Sequence, residues 1–168
     1  MTETVRLGQV WRSPSLWIAT LGGVGLSPRM PGTLGSLVTL PLAAALEHSN
    51  NVTILGLMVA VLVLGTWASA NAGRALGKTD HGAIVVDELL GQLLTLWIAM
   101  WLLPGTILDA QTLLVGFVCF RLYDIVKPWP AGWCDRRFKN GFGVMLDDMV
   151  AAFWAGMVLV GLLLVSRI

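Results

Sequence analysis

GFGVMLDDMVAAFWAGMVLVGLLLV, residues 141–165, decides what kind of protein this is. Residues 149–165 run for 17 positions without a charge, close to the roughly 17–25 that a helix needs to cross a bilayer. Directly ahead of that run stand two adjacent carboxylates, Asp147 and Asp148. An ionised carboxylate at the bilayer centre costs at least about 2.5–3.5 kcal/mol, so such acids are rare unless something compensates them.

Other apolar runs flank this one. Residues 52–70 carry no charge over 19 positions, and residues 83–103 and 112–126 are of similar length but hold charges inside. Residues 34–46 are shorter, about 20 Å as a helix, and read either as a marginal span or as a re-entrant half-helix. With 56% hydrophobic and 12% charged residues, the chain is unlike a soluble globular surface. A bilayer leaves no backbone polar group unsatisfied, so these runs are read as helices. The expected fold is all-α: a polytopic membrane helical bundle of about five spanning or half-spanning helices, one domain over residues 1–168. An N-terminal interfacial segment around Arg6, Trp11, Arg12 and Trp17 precedes it. No clean apolar stretch ends in a small-residue cleavage site, so no removable signal is expected. Cys119 and Cys134, one in an apolar run and one in a basic loop, do not read as a disulfide pair. The net charge of +1 says nothing about partners, and no nucleic acid is expected among them.

Basic residues favour cytoplasmic loops. If residues 34–46 cross, an inside N-terminus places Arg6, Arg12, Arg29, Arg74, Lys78, Arg121, Lys127, Arg136, Arg137 and Lys139 on the inner side. That is ten of the 11 basic residues, leaving Arg167 outside. The expected topology is therefore multi-pass with the N-terminus inside, the C-terminus outside and the functional face toward the cytoplasm.

On this topology four polar clusters meet at one face: SPRMPGTLGS (27–36), KTDHGAIVVDE (78–88), RLYDIVKPWP (121–130) and DRRFKNGFGVMLDD (135–148). Asp87, Glu88, Asp124, Asp147 and Asp148 form an oxygen-rich set without a His or Cys cluster, which favours Mg²⁺, Mn²⁺ or Ca²⁺ over zinc. For any one of these acids, the alternative is an interfacial pair with Arg121, Lys127, Arg136 or Arg137. Arg121, Asp124 and Lys127 recur every three residues and share one side of a helix. A guanidinium fork plus a lysine point charge suits phosphate oxygens, while snorkelling at a membrane border is the simpler reading. In Gly32, Thr33, Gly35 and Ser36, Thr33 reads as an N-cap, and the free N–H groups beyond it as an anion site. A closely packed helix start explains the same residues, and the spacing is not that of a nucleotide-binding loop. His81 reads either as a proton donor to a leaving alkoxide or as a cap on the next helix.

Several phosphatase signatures are absent. Neither cysteine has an arginine six positions on, and the motifs of haloacid dehalogenases, type 2 phosphatidic acid phosphatases and CDP-alcohol phosphotransferases do not occur. The stretches GLSPRMPGTLGS, DHGAIVVDELLGQ, FRLYDIVKPWP and DRRFKNGFGVMLDDMVA, in this order, resemble the phosphatidylglycerophosphatase A family over about residues 21–155. The resemblance implies a small helical membrane enzyme that hydrolyses the terminal phosphomonoester of phosphatidylglycerophosphate with Mg²⁺, giving phosphatidylglycerol and phosphate. The positions it carries over are Asp80, His81, Asp87, Glu88, Arg121, Asp124, Lys127, Asp135, Asp147 and Asp148. Asn140 and Cys134 depart from the family pattern, where a glycine and an apolar residue are usual.

The expected assignment is catalytic roles for Asp80, His81, Asp87, Asp124 and Asp148. Metal binding falls to Asp87, Glu88, Asp124, Asp147 and Asp148. Substrate binding falls to Gly32, Thr33, Gly35, Ser36, Arg121, Lys127 and Arg136, with the phospholipid and surrounding membrane lipids as partners. A small transporter of cations or protons is the alternative, since it too buries carboxylates.

Overall fold

A computed structural model describes residues 7–166, the side chains of Leu7 and Gln9 excepted, and its described residues form helices and no strands. Arg6 and Arg167, the interfacial and outer cations of the topology argument, lie outside the described residues. Two short helices, α1 (Leu7–Val10) and α2 (Pro14–Ala19), and a 3₁₀ turn (Val24–Leu26) lead into α3 (Pro31–Leu46). Then follow α4 (Asn51–Ala75), α5 (Val86–Leu102), α6 (Ala110–Val126), the short α7 (Ala131–Arg137) and α8 (Gly141–Ser166).

Helices α4 and α8, of 25 and 26 residues, are long and apolar enough to cross a membrane. Their outer faces carry exposed Leu55, Val59, Val63, Trp67, Phe153, Met157 and Leu162, side chains suited to hydrocarbon. Helix α3, of 16 residues with Pro41 inside it, and α5 and α6, of 17 residues each, are shorter.

Helix α5 is the centre of the bundle and touches α3, α4, α6 and α8. Glycines set how close its neighbours come. At Gly91 the Phe120 ring of α6 fills the place of a side chain, and the Asp148 carbonyl of α8 would lie 3.3 Å from a Cβ. At Gly156 of α8 a Cβ would meet Ile98 at 2.9 Å. Small residues at such crossings let helix backbones approach where no hydrophobic gradient drives association. The buried hydroxyls between α3, α5 and α8 are satisfied locally: Ser36 Oγ donates to the Gly32 carbonyl at 3.1 Å, and Thr95 Oγ1 to Gly91 at 2.9 Å.

The ends follow their capping chemistry. Asn50, Asp109 and Asn140 accept from the backbone N–H of Thr53, Thr112 and Gly143 at 2.9, 2.8 and 2.8 Å, satisfying donors that an helix start leaves open. Asn140, a departure from the family pattern, is thus the cap of α8. Lys127 ends α6 in the left-handed region at φ 45°, outside the right-handed helical region that Pro128 disfavours for it, but not in the extended conformation toward which a following proline biases a residue.

Three local expectations are corrected. Thr33 is not an N-cap: α3 begins earlier, at Pro31, after Met30 at φ 53°, because proline's fixed φ suits the first helical position. The third apolar segment becomes helical only at Val86, so Asp87 and Glu88 occupy its first turn, where the helix dipole favours negative charge. The basic loop after α6 holds a helix of its own, α7.

Candidate active site

A cleft of about 230 Å³ opens at one end of the bundle, with Asp135 of α7 and Phe138 and Lys139 just after it among its lining. The N-terminal turns of α3, α5 and α8 and the C-terminal end of α6 converge there, with the α4–α5 connection forming the rim. Three helices therefore point their positive ends at it. Gly32, Asp80, Asp87, Glu88, Arg121, Asp124, Lys127, Asp135, Asp147 and Asp148 all line the cleft.

The acids divide by partner. Asp124 meets the Arg121 guanidinium at 2.6 Å, and the same Nη1 lies 3.9 Å from Glu88. Asp147 is held by the Lys127 ammonium, which also reaches Asp135 at 4.0 Å. Asp87, Glu88 and Asp148 remain: each offers an oxygen, all within 4.8 Å of one another. Asp87 Oδ1, Glu88 Oε2, Asp147 Oδ1 and Asp148 Oδ2 are buried without a hydrogen-bond donor. A buried charge left unpaired is among the most costly features a fold can carry. Five carboxylates against Arg121 and Lys127 leave that cost uncompensated by protein groups alone.

The donor set fits a hard divalent cation. It consists of oxygens, it is held on two rigid helices, and it includes neither histidine nor cysteine. Of the five expected ligands, the structure groups Asp87, Glu88 and Asp148 as a mutual set, while Asp124 and Asp147 are engaged by cations.

Burial alone would lower the pKa of Lys127, but its hydrogen bond to Asp147 and the fields of Asp147, Asp148 and Asp135 outweigh this. The ammonium is held well above the ordinary lysine range. It is a fixed positive charge at the cleft wall.

Other expected site residues lie elsewhere. His81 sits in a neighbouring cleft against Pro28 and Pro31, and its Nδ1 accepts from the Ala83 N–H at 3.1 Å, a bond within the connection ahead of α5, whose start carries no side-chain cap. Gly35 is pressed on Val85, where a Cβ would lie 3.0 Å from the valine Cβ. Ser36 is fully buried and bonded within α3, and neither it nor Thr33 nor Arg136 lines the cleft. Gly32 does, and there is no room at its α-carbon: a Cβ would run into Glu88 Oε1 and come within 3.2 Å of Arg121 Nη1.

Met30, Thr79, Phe138, Lys139 and Gly143 also line the cleft and were not anticipated. All five lie inside the four polar clusters, and nothing in the sequence marks them off from cluster neighbours that face elsewhere.

The family profile described as Phosphatidylglycerophosphatase A matches residues 17–163. Phosphatidylglycerophosphatase A of Escherichia coli (strain K12) is 38% identical over 134 residues, 77% of this chain and 72% of that protein. Its namesake in Haemophilus influenzae is 34% identical over 157 residues, 92% of this chain and 93% of the other. A Bacteroides thetaiotaomicron protein, provisionally named a phosphatidylinositol-3-phosphatase, is 34% identical over 143 residues, 82% of this chain and 86% of that one. No solved structure matches. A profile match over most of the length and relatives above 30% identity lead to one conclusion: this chain belongs to the phosphatidylglycerophosphatase A family.

Proposed function

We propose that this chain hydrolyses the terminal phosphomonoester of phosphatidylglycerophosphate, releasing phosphatidylglycerol and inorganic phosphate, with Mg²⁺ held by Asp87, Glu88 and Asp148. The observation that carries the reading is the meeting of unpartnered buried carboxylate oxygens with Arg121 and Lys127 in one cleft. Carboxylates alone would repel a phosphate. Together with a bound divalent cation they become its anchor.

A cation in this cradle supplies neutralisation of the phosphomonoester and a lowered pKa for a coordinated water. The chain's own groups do the rest. Arg121 presents its guanidinium to the phosphate oxygens from α6, and Asp124 holds that fork in place at 2.6 Å. Lys127 brings a point charge from the other wall, steadied by Asp147. The Gly32 N–H, in the first turn of α3, has no intrahelical acceptor and offers a further donor. These groups are fixed before the substrate arrives, so charge shifting onto the leaving and attacking oxygens is met without reorganisation. Asp80 lines the cleft, and in this reading it exchanges a proton with the departing glycerol oxygen or with the attacking water. Direct attack by water is the route proposed.

The proposed setting is the inner membrane, with α3, α4, α5, α6 and α8 crossing or half-crossing it and the cleft facing the cytoplasm. The basic residues support this orientation. A lipid substrate would leave its acyl chains in the bilayer and present its headgroup at the border. The transporter alternative gains no support, because the family profile and the relatives that this chain matches are phosphatases by name.

The test is phosphate release from phosphatidylglycerophosphate in detergent micelles, with Mg²⁺ and with a chelator. Phosphatidic acid, phosphatidylinositol 3-phosphate and soluble glycerophosphate serve as comparison substrates. Metal-dependent release, fastest with phosphatidylglycerophosphate, is expected; no release under any divalent cation refutes the proposal.

A further inference from the structure

Beside the acidic cleft lies a second one, about 440 Å³, between the C-terminal end of α4 and the N-terminal end of α8. Its lining is of opposite character. Arg74, Lys78 and Lys139 face it, together with Thr79, Asn140 and Gly141, and no carboxylate lines it. Lys139 is drawn toward Asp135 at 3.3 Å. Arg74 and Lys78 form no ion pair among the described residues and are exposed. Thr79 and Lys139 line both clefts, so the two share a wall.

Close backbone contact shapes the second cleft. A Cβ on Gly73 would lie 2.9 Å from Thr79, and one on Gly141 would lie 2.7 Å from the Ala70 nitrogen. The α4–α5 connection is also tied to α4, the Lys78 N–H donating to the Gly73 carbonyl at 3.0 Å. Lys78 and Thr79 are therefore anchored where they stand.

Basic pockets between membrane helices suit phosphate headgroups, and a guanidinium beside an ammonium is a fitting pair for phosphate oxygens. A substrate with two phosphates on one glycerol presents a further difficulty to the acidic cleft. Its monoester belongs with the carboxylate cradle, but its phosphodiester then lies close to the same acids. We propose that the Arg74–Lys78–Lys139 cleft binds the phosphodiester of the lipid while the acidic cleft binds the monoester. This rests on the lipid-phosphatase reading above. It makes the second cleft the feature that favours a bisphosphate headgroup over a single phosphate. Inorganic phosphate shares the chemistry, and the experiment separates the two sources.

Phosphatidylglycerol keeps the diester and lacks the monoester, so its binding reports on the second cleft without turnover. Purified protein in neutral detergent is titrated with phosphatidylglycerol and, separately, with inorganic phosphate, following tryptophan fluorescence. The protein with Arg74→Gln and Lys78→Gln together is compared with the parent, and Lys78→Gln alone guards against a folding defect. Phosphatidylglycerol affinity should fall about 25-fold in the double variant, about fivefold per cation, with inorganic phosphate affinity unchanged. The KM for phosphatidylglycerophosphate should rise in parallel, with a much smaller change in kcat. Unchanged phosphatidylglycerol affinity in a folded double variant overturns the proposal, as does a loss confined to inorganic phosphate. Absent hydrolysis by the parent protein would instead overturn the phosphatase reading, leaving the phosphatidylglycerol titration to judge the cleft.

Discussion

Lys127, at the C-terminal end of α6, grips Asp147, two turns into α8, and so ties two helices together across the cleft wall. Asp147 is almost fully buried, whereas the Lys127 side chain keeps 28% of its exposure. Removing the cation with Lys127→Gln strands a buried carboxylate. The loss should be about 2 kcal/mol, below the ~3–5 for a fully buried pair because solvent screens the lysine. Adding Asp147→Asn should restore part of the thermal stability, since both charges are then gone. Thermal unfolding in detergent of the two single variants and the double variant measures the coupling; strict additivity would contradict it.

The same pair sets a pH limit. The folded pKa of Lys127 is raised above its ordinary value of 10.5. Its contribution to stability is thus complete below that value and is lost only as pH rises through the higher folded one. Stability curves of the parent and Lys127→Gln should therefore keep a constant separation from neutral pH up to about 10. Convergence of the curves as pH rises, already complete below about 10, would show the ammonium to be less firmly held.

Asp87→Asn and Asp148→Asn should abolish phosphate release while leaving the fold intact. Without divalent metal, both should melt at or above the parent temperature, because each relieves repulsion among unpartnered acids. Mg²⁺ at about 100 times its Kd should stabilise the parent by about 2.7 kcal/mol, and these variants far less. Near-normal turnover, or an undiminished Mg²⁺ shift, would remove the residue from the cation cradle.

Arg121→Lys keeps the charge and loses the fork. Because one guanidinium spans Asp124 and Glu88 at 2.6 and 3.9 Å, a lysine cannot hold both and also serve a phosphate. Turnover should fall by about 10²-fold, the scale of losing one preorganised donor. Steady-state kinetics decide the matter, and a loss below threefold would contradict the role.

Gly32→Ala introduces a single methyl into the space occupied by Glu88 Oε1. Helix α3 should form at least as well, since alanine is the better helix former, yet activity should drop by about tenfold or more as Glu88 and Arg121 are displaced. Full activity would mean that the acid moves aside without consequence.

Asp109→Ala provides a contrast. Asp109 caps α6 in the loop between α5 and α6, outside the cleft lining, and its bond from the Thr112 N–H lowers its pKa. The stability it adds is present above the ordinary aspartate range and fades as pH falls through the lowered value. The variant should melt slightly earlier at neutral pH and hydrolyse substrate at the parent rate, measured side by side.

Much of this was legible in the residues themselves. The uncharged runs at 52–70 and 149–165 announced α4 and α8, and Pro128 announced the end of α6, because bilayer length and proline sterics act locally. The convergence of four polar clusters followed from topology alone, with helices alternating in direction between short connections. Local signals were weaker at helix starts. Thr33 looked like a cap, and only the backbone shows that Pro31 begins the helix.

Covalent order and composition determined that this chain is apolar, helical and acidic at one face. They left open how the acids share their partners. Five carboxylates and two nearby cations permit many pairings, and the choice depends on distances of a few ångströms between α5, α6 and α8. Those distances are set by the close approach at Gly91 and Gly156, a property of packed surfaces and not of any one segment. Packing engaged Asp124 with Arg121 and Asp147 with Lys127, and so left Asp87, Glu88 and Asp148 together. It also turned His81 and Ser36 away, and placed a basic cleft against an acidic one.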